Sequence, residues 1–547
     1  MSETNKKQNF LHGAAWLTLA TAVVKLVGAF YKIPLKMVIG DQGYGFFITA
    51  YDIYSVLLMI STAGLPVAMS RMISQASSLG HYNRVRKIYS TCRIIFLIIG
   101  IVSSLLMIVG CQFLAQSLNQ PDAWAAILLL GPCALLMGMM STYRGFFQGQ
   151  GDMRPTSVSQ IIEAIFKLVV GLAAAFAVMH YTQSVSLAAG GAILGVTVSC
   201  LVSVVYLKRK LSPAYNALPQ TQEQAESYSR TAKNLLAIAI PITIGSAGLQ
   251  LLTVVESGLY MGQLIHIVGS GQYMSHLITP ELDAQGVADT LKGIYNMTQT
   301  IFNMPCAFMI PITVSVLPAI TEQLTLDNHK AVKETEESAA RITGLLSLPC
   351  AVGLALVAGP VMALLGGYEG EKLALATDLM AVLGICVFLY AIVQYTNVVL
   401  QSHGYAHVPV VNMLLCGVMK LVVVYVLVGN PHVGIMGAPY GAALCYLFIG
   451  VLNLIAIGRL VPQKPALIRN ILRPALPAAV MGVAVWGVSY LMKDMLGITS
   501  RTLLCLGPVG VGAVVYLVCV VLFKAITAED CALLPKGEKI AKLLKLR

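Results

Sequence analysis

Residues 146–172, "FFQGQGDMRPTSVSQIIEAIFKLVVGL", return in altered form as residues 399–427, "VLQSHGYAHVPVVNMLLCGVMKLVVVYVL". Three matches keep the same spacing in both copies: Gln148 with Gln401, Gly151 with Gly404, and Lys167-Leu-Val-Val with Lys420-Leu-Val-Val. Pro66 in "GLPVAMS" and Pro318 in "VLPAITE" form a further pair at nearly the same spacing. The sequence therefore predicts an internal duplication, which in transporters places the site between the two halves.

The composition around these copies is typical of a polytopic membrane protein. Of the 547 residues, 57% are hydrophobic and 11% are charged, whereas soluble domains carry roughly 25% charged residues. The apolar runs are continuous rather than alternating, which disfavours a transmembrane β-barrel. About fourteen membrane helices are predicted, at 11–39, 46–73, 90–113, 124–146, 156–180, 184–207, 234–261, 293–322, 341–365, 374–400, 408–429, 435–458, 471–493 and 502–524.

This helix count predicts the domain organisation of an all-α chain. Six helices in each half make the duplication a parallel repeat, and two more helices follow it. The predicted parts are an N-terminal lobe (1–207), a cytoplasmic linker (208–233), a C-terminal lobe (234–458), two C-terminal helices (459–525) and a basic cytoplasmic tail (526–547). The tail suits either an amphipathic helix on the inner leaflet or a solvated segment.

The net charge of +12 is explained by membrane topology. Basic residues gather in every second inter-helix segment, which places both termini in the cytoplasm. Four remain outside (Lys292, Lys372, Lys493 and Arg501), and five lie in predicted helices (Lys25, Lys32, Lys36, Lys167 and Lys420). This distribution disfavours a nucleic-acid partner and is compatible with attraction to anionic membrane lipids.

No catalytic, metal or cofactor motif is recognised in the sequence. The 12 cysteines stand singly, mostly in apolar runs and without a CxxC pair, so we expect small buried hydrophobic side chains. A membrane glycosyltransferase is disfavoured because no DxD or nucleotide-binding motif occurs. A scaffold protein has no need of lysines within its membrane helices.

Lys25, Lys32 and Lys36 share one narrow stripe of the first predicted helix, because 3.6 residues make one turn. A polar stripe within a membrane must face a cavity or a partner. Ammonium groups are point-charge partners for phosphate, so the stripe favours an anionic substrate. Two alternatives stay open: Lys36 reaches the outer headgroups, or Asp52 neutralises one of the other lysines.

Two further helices carry lysines at matching positions of the duplication. Glu163 and Lys167 lie four residues apart and are predicted to neutralise each other. Lys420 has Cys416 in the place of that acid. An intramembrane lysine without such a partner is a candidate binding residue, although an acid of another helix could pair with it.

The stretches "KLVGAFYKIPLKMVIGDQGYGFFITAYDIYSVLLMISTAGLPVAMSRMISQ" (25–75) and "GIYNMTQTIFNMPCAFMIPITVSVLPAITEQ" (293–323) resemble stage V sporulation protein B-like and YtgP-like polysaccharide transport proteins. These belong to the multidrug/oligosaccharidyl-lipid/polysaccharide superfamily, with MurJ-type lipid II flippases and MATE drug exporters. The resemblance implies a V-shaped, two-lobe monomeric flippase of the bacterial cytoplasmic membrane that works by alternating access. Its expected partner is an undecaprenyl-pyrophosphate glycolipid, most simply lipid II. A different lipid-linked oligosaccharide and a MATE-like drug antiporter are the alternatives.

The resemblance also assigns expected roles to single residues. Lys25 matches a basic position that lines the cavity of MurJ-type proteins, while the next basic position falls on Tyr31, beside Lys32. Thr300 stands where the eighth helix of MurJ-type proteins carries an arginine. Relatives use acids of the seventh helix for sodium or proton coupling, so Glu256 is the candidate coupling residue, or else a counter-ion for a lysine.

Overall fold

The structure is a computed structural model. It describes residues 3–60, 65–220, 227–274, 283–307, 326–462 and 465–527, and the single residues 309, 316, 317, 320, 321, 323, 324 and 530. Within its helices, the side chains of 3–23, 25, 26, 29, 65, 241, 242 and 244–249 lie outside the description. The predicted tail therefore falls almost wholly outside the described residues.

The described chain forms helices joined by short turns, and no β-strand occurs in those ranges. This confirms the predicted all-α class. The chain divides into two compact units, Met1–Gly293 and Ile294–Arg547. The lobe boundaries expected at 207 and 234 stay a prediction.

The first unit is a bundle of long helices. They are α1 (Glu3–Met59), α2 (Leu65–Ser78), α3 (Tyr82–Val109), α4 (Cys111–Ser117), α5 (Trp124–Gly149), α6 (Arg154–Thr182), α7 (Val185–Asn216), α8 (Tyr228–Gly269) and the start of α9 (Ala284–Ala307). Helix α7 packs on both α5 and α6, and α1 packs on α6, α7 and α8. The hydroxyl of Tyr31 donates to the Ala192 carbonyl at 3.2 Å, which fixes α1 against α7.

The second unit continues from α9 with eight further helices. They are α10 (His329–Leu356), α11 (Ala358–Leu365), α12 (Gly370–Ser402), α13 (His407–Val428), α14 (Gly437–Leu460), α15 (Leu467–Ile471), α16 (Ala475–Tyr490) and α17 (Arg501–Leu522). Helix α12 packs on α10 and α14, α13 packs on α14, and α16 packs on α17.

Side-chain caps start several of these helices where the sequence offers Ser or Asn. Ser184 accepts from the Leu187 amide before α7, Ser227 from the Arg230 amide before α8, and Asn328 from the Ala331 amide before α10. Each cap satisfies an amide that has no partner within the first turn of the helix. Local sequence thus fixes where these helices begin.

Eleven helices of the described chain are long and apolar enough to cross a membrane. They coincide with eleven of the fourteen predicted spans. The other three predictions fall on α1, α2 and α9, and each of the three includes residues that lie partly outside the description. Helix α1 itself consists of two helical parts, because the backbone at Gly40 leaves the helical region with φ of 69°.

The duplication is visible in the turns that join α5 to α6 and α12 to α13. Gly151 and Gly404 have φ of 80° and 84°, a conformation that glycine adopts without strain. The Gly151 amide donates to the Gln148 carbonyl at 3.0 Å, and the Gly404 amide donates to the Gln401 carbonyl at 3.1 Å. The matched residues therefore build the same turn in both units.

Described cysteines are free, and all but the half-buried Cys350 are buried. This agrees with their interpretation as small hydrophobic side chains.

Candidate functional site

Tyr51 of α1 contacts two lysine side chains of the first unit. The Nζ of Lys32 is 4.7 Å from the ring centroid of Tyr51. The Nζ of Lys167, on α6, is 5.5 Å from the same centroid and donates to the Tyr51 hydroxyl at 3.4 Å. Cations at such distances are attracted to an aromatic face. Two of the predicted binding residues are thus brought together around one ring.

Glu163 does not neutralise Lys167 in the way the sequence predicted. Its Oε2 forms an ion pair with Arg144 of α5 at 3.1 Å, and its Oε1 accepts from the Tyr54 hydroxyl at 2.6 Å. Arg144 Nε also donates to Ser159 at 3.0 Å. The ion-pair partner differs from the predicted one because Arg144, expected near the cytoplasm, is a buried residue within α5. The charges of Glu163 and Lys167 still act on each other. Among the described residues, Lys167 keeps the Tyr51 hydroxyl as its hydrogen-bond partner.

Asp52 and Glu256 bring two carboxylates near each other, from α1 and α8. Glu256 is buried, and its charge acts on Asp52. Lys32 and Lys292 are the cations that act on the same carboxylate. The predicted coupling residue and the predicted cavity acid therefore lie in one electrostatic neighbourhood.

Lys36 is 8% exposed and forms an ion pair with Asp41 at 3.1 Å. This buried pair differs from the alternative in which Lys36 reaches lipid headgroups. The side chain of Lys25 lies outside the described residues, so its predicted place on the stripe stays a prediction.

Lys292 is the residue that the sequence analysis missed. It was placed in an outer loop, but it is 0% exposed and lies within α9, two turns after the helix begins. The apolar positions Val287, Leu291 and Ile294 continue the helical spacing through it, and this was the available signal. Hydropathy did not extend the predicted helix over this segment, because Asp289 and Lys292 interrupt its apolar run.

In the second unit, side-chain amides form a hydrogen-bonded cluster, and one of them, Asn397, stands where the first unit carries Arg144. The Asn453 amide donates to Asn397 at 2.8 Å and to Thr396 at 3.1 Å, and Asn412 donates to Asn453 at 2.9 Å. Asn397 and Asn412 stand at the duplication spacing from Arg144 and Ser159. Here the helices α12, α13 and α14 are joined by neutral hydrogen bonds.

Two further predicted positions lie in the second unit. Lys420 is half-buried on α13, and its charge acts on Cys386 of α12. Thr300 is buried in α9 and donates to the Asn296 carbonyl at 2.9 Å. No group of three or more His, Cys, Asp or Glu side chains in the described chain is placed to hold a metal ion.

Comparison with known proteins supports the architecture. Residues 10–324 match the family described as Polysaccharide biosynthesis protein, and residues 292–426 match the family MatE. The chain is 24% identical over 533 residues to Lipid II flippase MurJ of Bacillus subtilis (strain 168), covering 93% of this chain and 94% of that protein.

Two further matches extend over most of the chain. Stage V sporulation protein B of Bacillus subtilis (strain 168) is 22% identical over 533 residues, covering 97% of this chain and 98% of that protein. A structure of Lipid II flippase MurJ in an inward closed conformation matches with a TM-score of 0.67 and 12% identity, covering 93% of this chain and 98% of that one. The predicted resemblance to these proteins and to MATE proteins is confirmed.

Proposed function

Because the chain belongs to the Polysaccharide biosynthesis protein family, we propose that it is a flippase for an undecaprenyl-pyrophosphate-linked cell-wall precursor. It moves this lipid, most simply lipid II, from the inner to the outer face of the bacterial cytoplasmic membrane by alternating access. The observation that carries the proposal is the pair of cations, Lys32 and Lys167, around Tyr51.

The charge balance around Tyr51 supports an anionic substrate. Glu163 forms its ion pair with Arg144, and Lys167 makes its hydrogen bond to the Tyr51 hydroxyl, although the charge of Glu163 also acts on Lys167. Charges within a membrane protein are costly and mark the path of a substrate or an ion. A pyrophosphate offers several oxygens to ammonium groups and leaves the sugar outside this contact. Lys25, Lys36, Asp52 and Lys420 are proposed to complete the cavity.

The alternatives share the architecture. An exporter of another lipid-linked oligosaccharide would use the same cations, since the pyrophosphate group is common to both. A MATE-like cation-coupled drug antiporter agrees with the MatE match of residues 292–426. The lysines around Tyr51 favour an anion over an organic cation.

Glu256, next to Asp52, is the proposed site of sodium or proton coupling. The charge of the buried Glu256 acts on the half-buried Asp52, and a bound cation would relieve the repulsion between the two carboxylates. One charge that crosses a potential of 100 mV gains about 2.3 kcal/mol. The field therefore favours export of the anionic lipid, and a cation bound at Glu256 assists the return of the empty carrier.

The proposal includes the cellular arrangement. We propose that the protein acts as a monomer with both termini in the cytoplasm and with lobes 1–207 and 234–458 flanking the substrate. Basic segments on the inner side, including the tail from 526 to 547, are proposed to contact anionic membrane lipids.

The test is a flipping assay in proteoliposomes with lipid II added to one leaflet. We expect saturable flipping by the wild type. Lys32→Gln and Lys25→Ala should raise the half-saturating lipid concentration about tenfold, since each removes a charge-assisted contact. Lys210→Gln, at an exposed lysine near the end of α7, is the matched control and should behave as the wild type.

Two results would redirect the proposal. Failure of the wild type to flip lipid II would point to another glycolipid, to be tested next with a teichoic-acid or capsular precursor. Full activity of both lysine variants would remove the cation-based mechanism. Flipping rates that do not change with the membrane potential, the sodium gradient or the proton gradient would exclude ion coupling at Glu256.

A further inference from the structure

Lys292 is held by neutral groups from two other parts of the first unit. Its Nζ donates to Thr49 Oγ1 of α1 at 2.7 Å and to Gln120 Oε1, before α5, at 2.9 Å. The side chain is 0% exposed, one of the largest that are fully buried. Within the described chain, both of its hydrogen-bond acceptors are uncharged.

Two carboxylates, Asp52 and Asp289, balance the charge of Lys292 without a direct contact. Gln120 Nε2 donates to Asp289 Oδ1 at 2.8 Å, so the Gln120 amide connects that carboxylate to the ammonium group. Asp289 also accepts from Gln285 at 3.2 Å. A buried cation without a direct counter-ion costs folding free energy that a neutral side chain would not. Stability alone therefore gives no reason for a lysine here.

The surroundings of Lys292 are closed by backbone contact between α1 and α9. A β-carbon at Gly293 would lie 2.0 Å from the Asp41 carbonyl oxygen, and one at Gly45 would lie 3.1 Å from the Asp289 carbonyl oxygen. Both positions lack a side chain, so the two backbones meet directly. In this state the ammonium group of Lys292 is sealed from any substrate.

We propose that Lys292 is a further cation of the anion site, stored behind this junction and turned to the substrate's phosphates when α1 and α9 separate. The proposal rests on the proposed function. Asp52 connects the two places, because the charges of both Lys32 and Lys292 act on it. In this proposal, the substrate's phosphates leave Lys32 and Lys167 and then bind the ammonium group of Lys292. Lys292 acts after the substrate has entered.

The test separates this role from a structural one by measuring stability and transport together. Lys292→Gln and Lys292→Met remove the charge, Lys292→Arg keeps it, and Lys210→Gln is the control. Thr49 and Gln120 also hydrogen-bond each other, so removal of the amine leaves neither without a partner. We expect both neutral variants to unfold in detergent at the wild-type temperature or above it.

In proteoliposomes with lipid II, the maximal flipping rate of Lys292→Gln should fall at least tenfold. Its half-saturating concentration should stay within about twofold of the wild type, since entry depends on Lys32 and Lys167. Lys292→Arg should recover most of the rate. Lys32→Gln should show the opposite pattern, with a raised half-saturating concentration.

Several outcomes would overturn the inference. These are wild-type rates in Lys292→Gln, no recovery in Lys292→Arg, or unfolding of both neutral variants, which would make Lys292 a structural residue. Absence of flipping by the wild type with lipid II and also with the teichoic-acid and capsular precursors would instead refute the proposed function, and the role of Lys292 with it. Wild-type flipping together with an unimpaired Lys292→Gln refutes the inference alone.

Discussion

At the scale of single residues, the first unit holds a buried ion pair one helical turn from a lysine that contacts an aromatic ring. Arg144 and Glu163 satisfy each other inside the bundle, and Ser159 and Tyr54 take up further hydrogen bonds. Lys167 lies one turn away and contacts an aromatic ring instead. The same helix thus carries an acid in an ion pair and a buried lysine against a tyrosine ring.

Arg144→Ala is expected to be strongly destabilising, by about 3–5 kcal/mol, because it leaves Glu163 buried without a counter-ion. The second unit has the uncharged residues Asn397 and Cys416 at the positions that match Arg144 and Glu163. Replacing both charges together should therefore cost less stability than replacing one of them. The double variant Arg144→Asn, Glu163→Cys should therefore be more stable than either single variant. Thermal unfolding in detergent, analysed as a double-mutant cycle, measures this coupling. Additive losses from the two single changes would contradict it.

Part of the candidate site could be predicted from sequence, and part could not. The apolar context and the charge at Lys32, Lys167 and Glu256 are visible along the chain. Their partners are not, because Tyr51 and Arg144 look like ordinary helix residues until α1, α5 and α6 pack. Lys292 was misplaced because it follows an acid at the edge of an apolar run.

At the scale of helices, the duplication is seen in two turns that have the same backbone conformation. The turns at Gly151 and Gly404 share their backbone hydrogen bonds and their left-handed glycine. The helices that flank them carry quite different side chains, such as Glu163 and Cys416. The turn geometry is thus the same in both copies, whereas the helix side chains agree only in part, as in the shared Lys-Leu-Val-Val run.

Gly151→Ala and Gly404→Ala should each cost about 1–2 kcal/mol, the strain of an L-residue in the left-handed region. The two losses should be similar because the turns are equivalent. Gly510→Ala, within α17 and with no heavy atom near the added carbon, is the control and should be neutral or slightly stabilising. Apparent unfolding temperatures of the purified variants provide the measurement. A loss at only one of the turns would show that they are not equivalent.

The sequence predicted which segments form helices more accurately than it predicted where each helix begins. Helix α3 begins at Tyr82, eight residues before the predicted span, because Arg84, Arg86 and Lys87 extend it as a polar helix. Hydropathy reports where a helix can lie in lipid, and it does not report where the helix begins. The same limit hid the first turns of α9.

At the scale of the molecule, the segment that follows α17 is bound to α10 of the second unit through Asp530. Arg341 of α10 donates from Nε to both oxygens of Asp530, at 3.0 and 3.1 Å, and from Nη1 to Asn470 Oδ1 of α15 at 3.0 Å. Asp530 follows the last helix and is 0% exposed. One carboxylate therefore joins the segment after α17 to α10.

Asp530→Asn is expected to lower stability by about 3–5 kcal/mol at neutral pH, because Arg341 loses its counter-ion. Burial acts to raise the pKa of Asp530, but hydrogen bonds from Arg341, Ser338 and the Thr527 amide outweigh it and hold that pKa below its usual value. A lowered pKa stabilises the fold above the unfolded value of about 3.9, and this stability is lost as the pH falls through the folded value. The gap between variant and wild type should thus close only below about pH 4. Unfolding temperatures across a pH series test this, and a gap that closes near neutrality would contradict it.

The amide network of Thr396, Asn397, Asn412 and Asn453 has an electrical consequence. Its members carry no formal charge, so any displacement of α12–α14 across the membrane field moves no current through this cluster. The cations of α1, α6 and α9 do move charge when their helices shift. A capacitive recording on a supported membrane should therefore show transient currents that survive Asn453→Gln and shrink in Lys167→Gln. The two copies thus differ at one pair of charges, where Asn397 and Cys416 replace Arg144 and Glu163, whereas Lys420 retains the charge of Lys167.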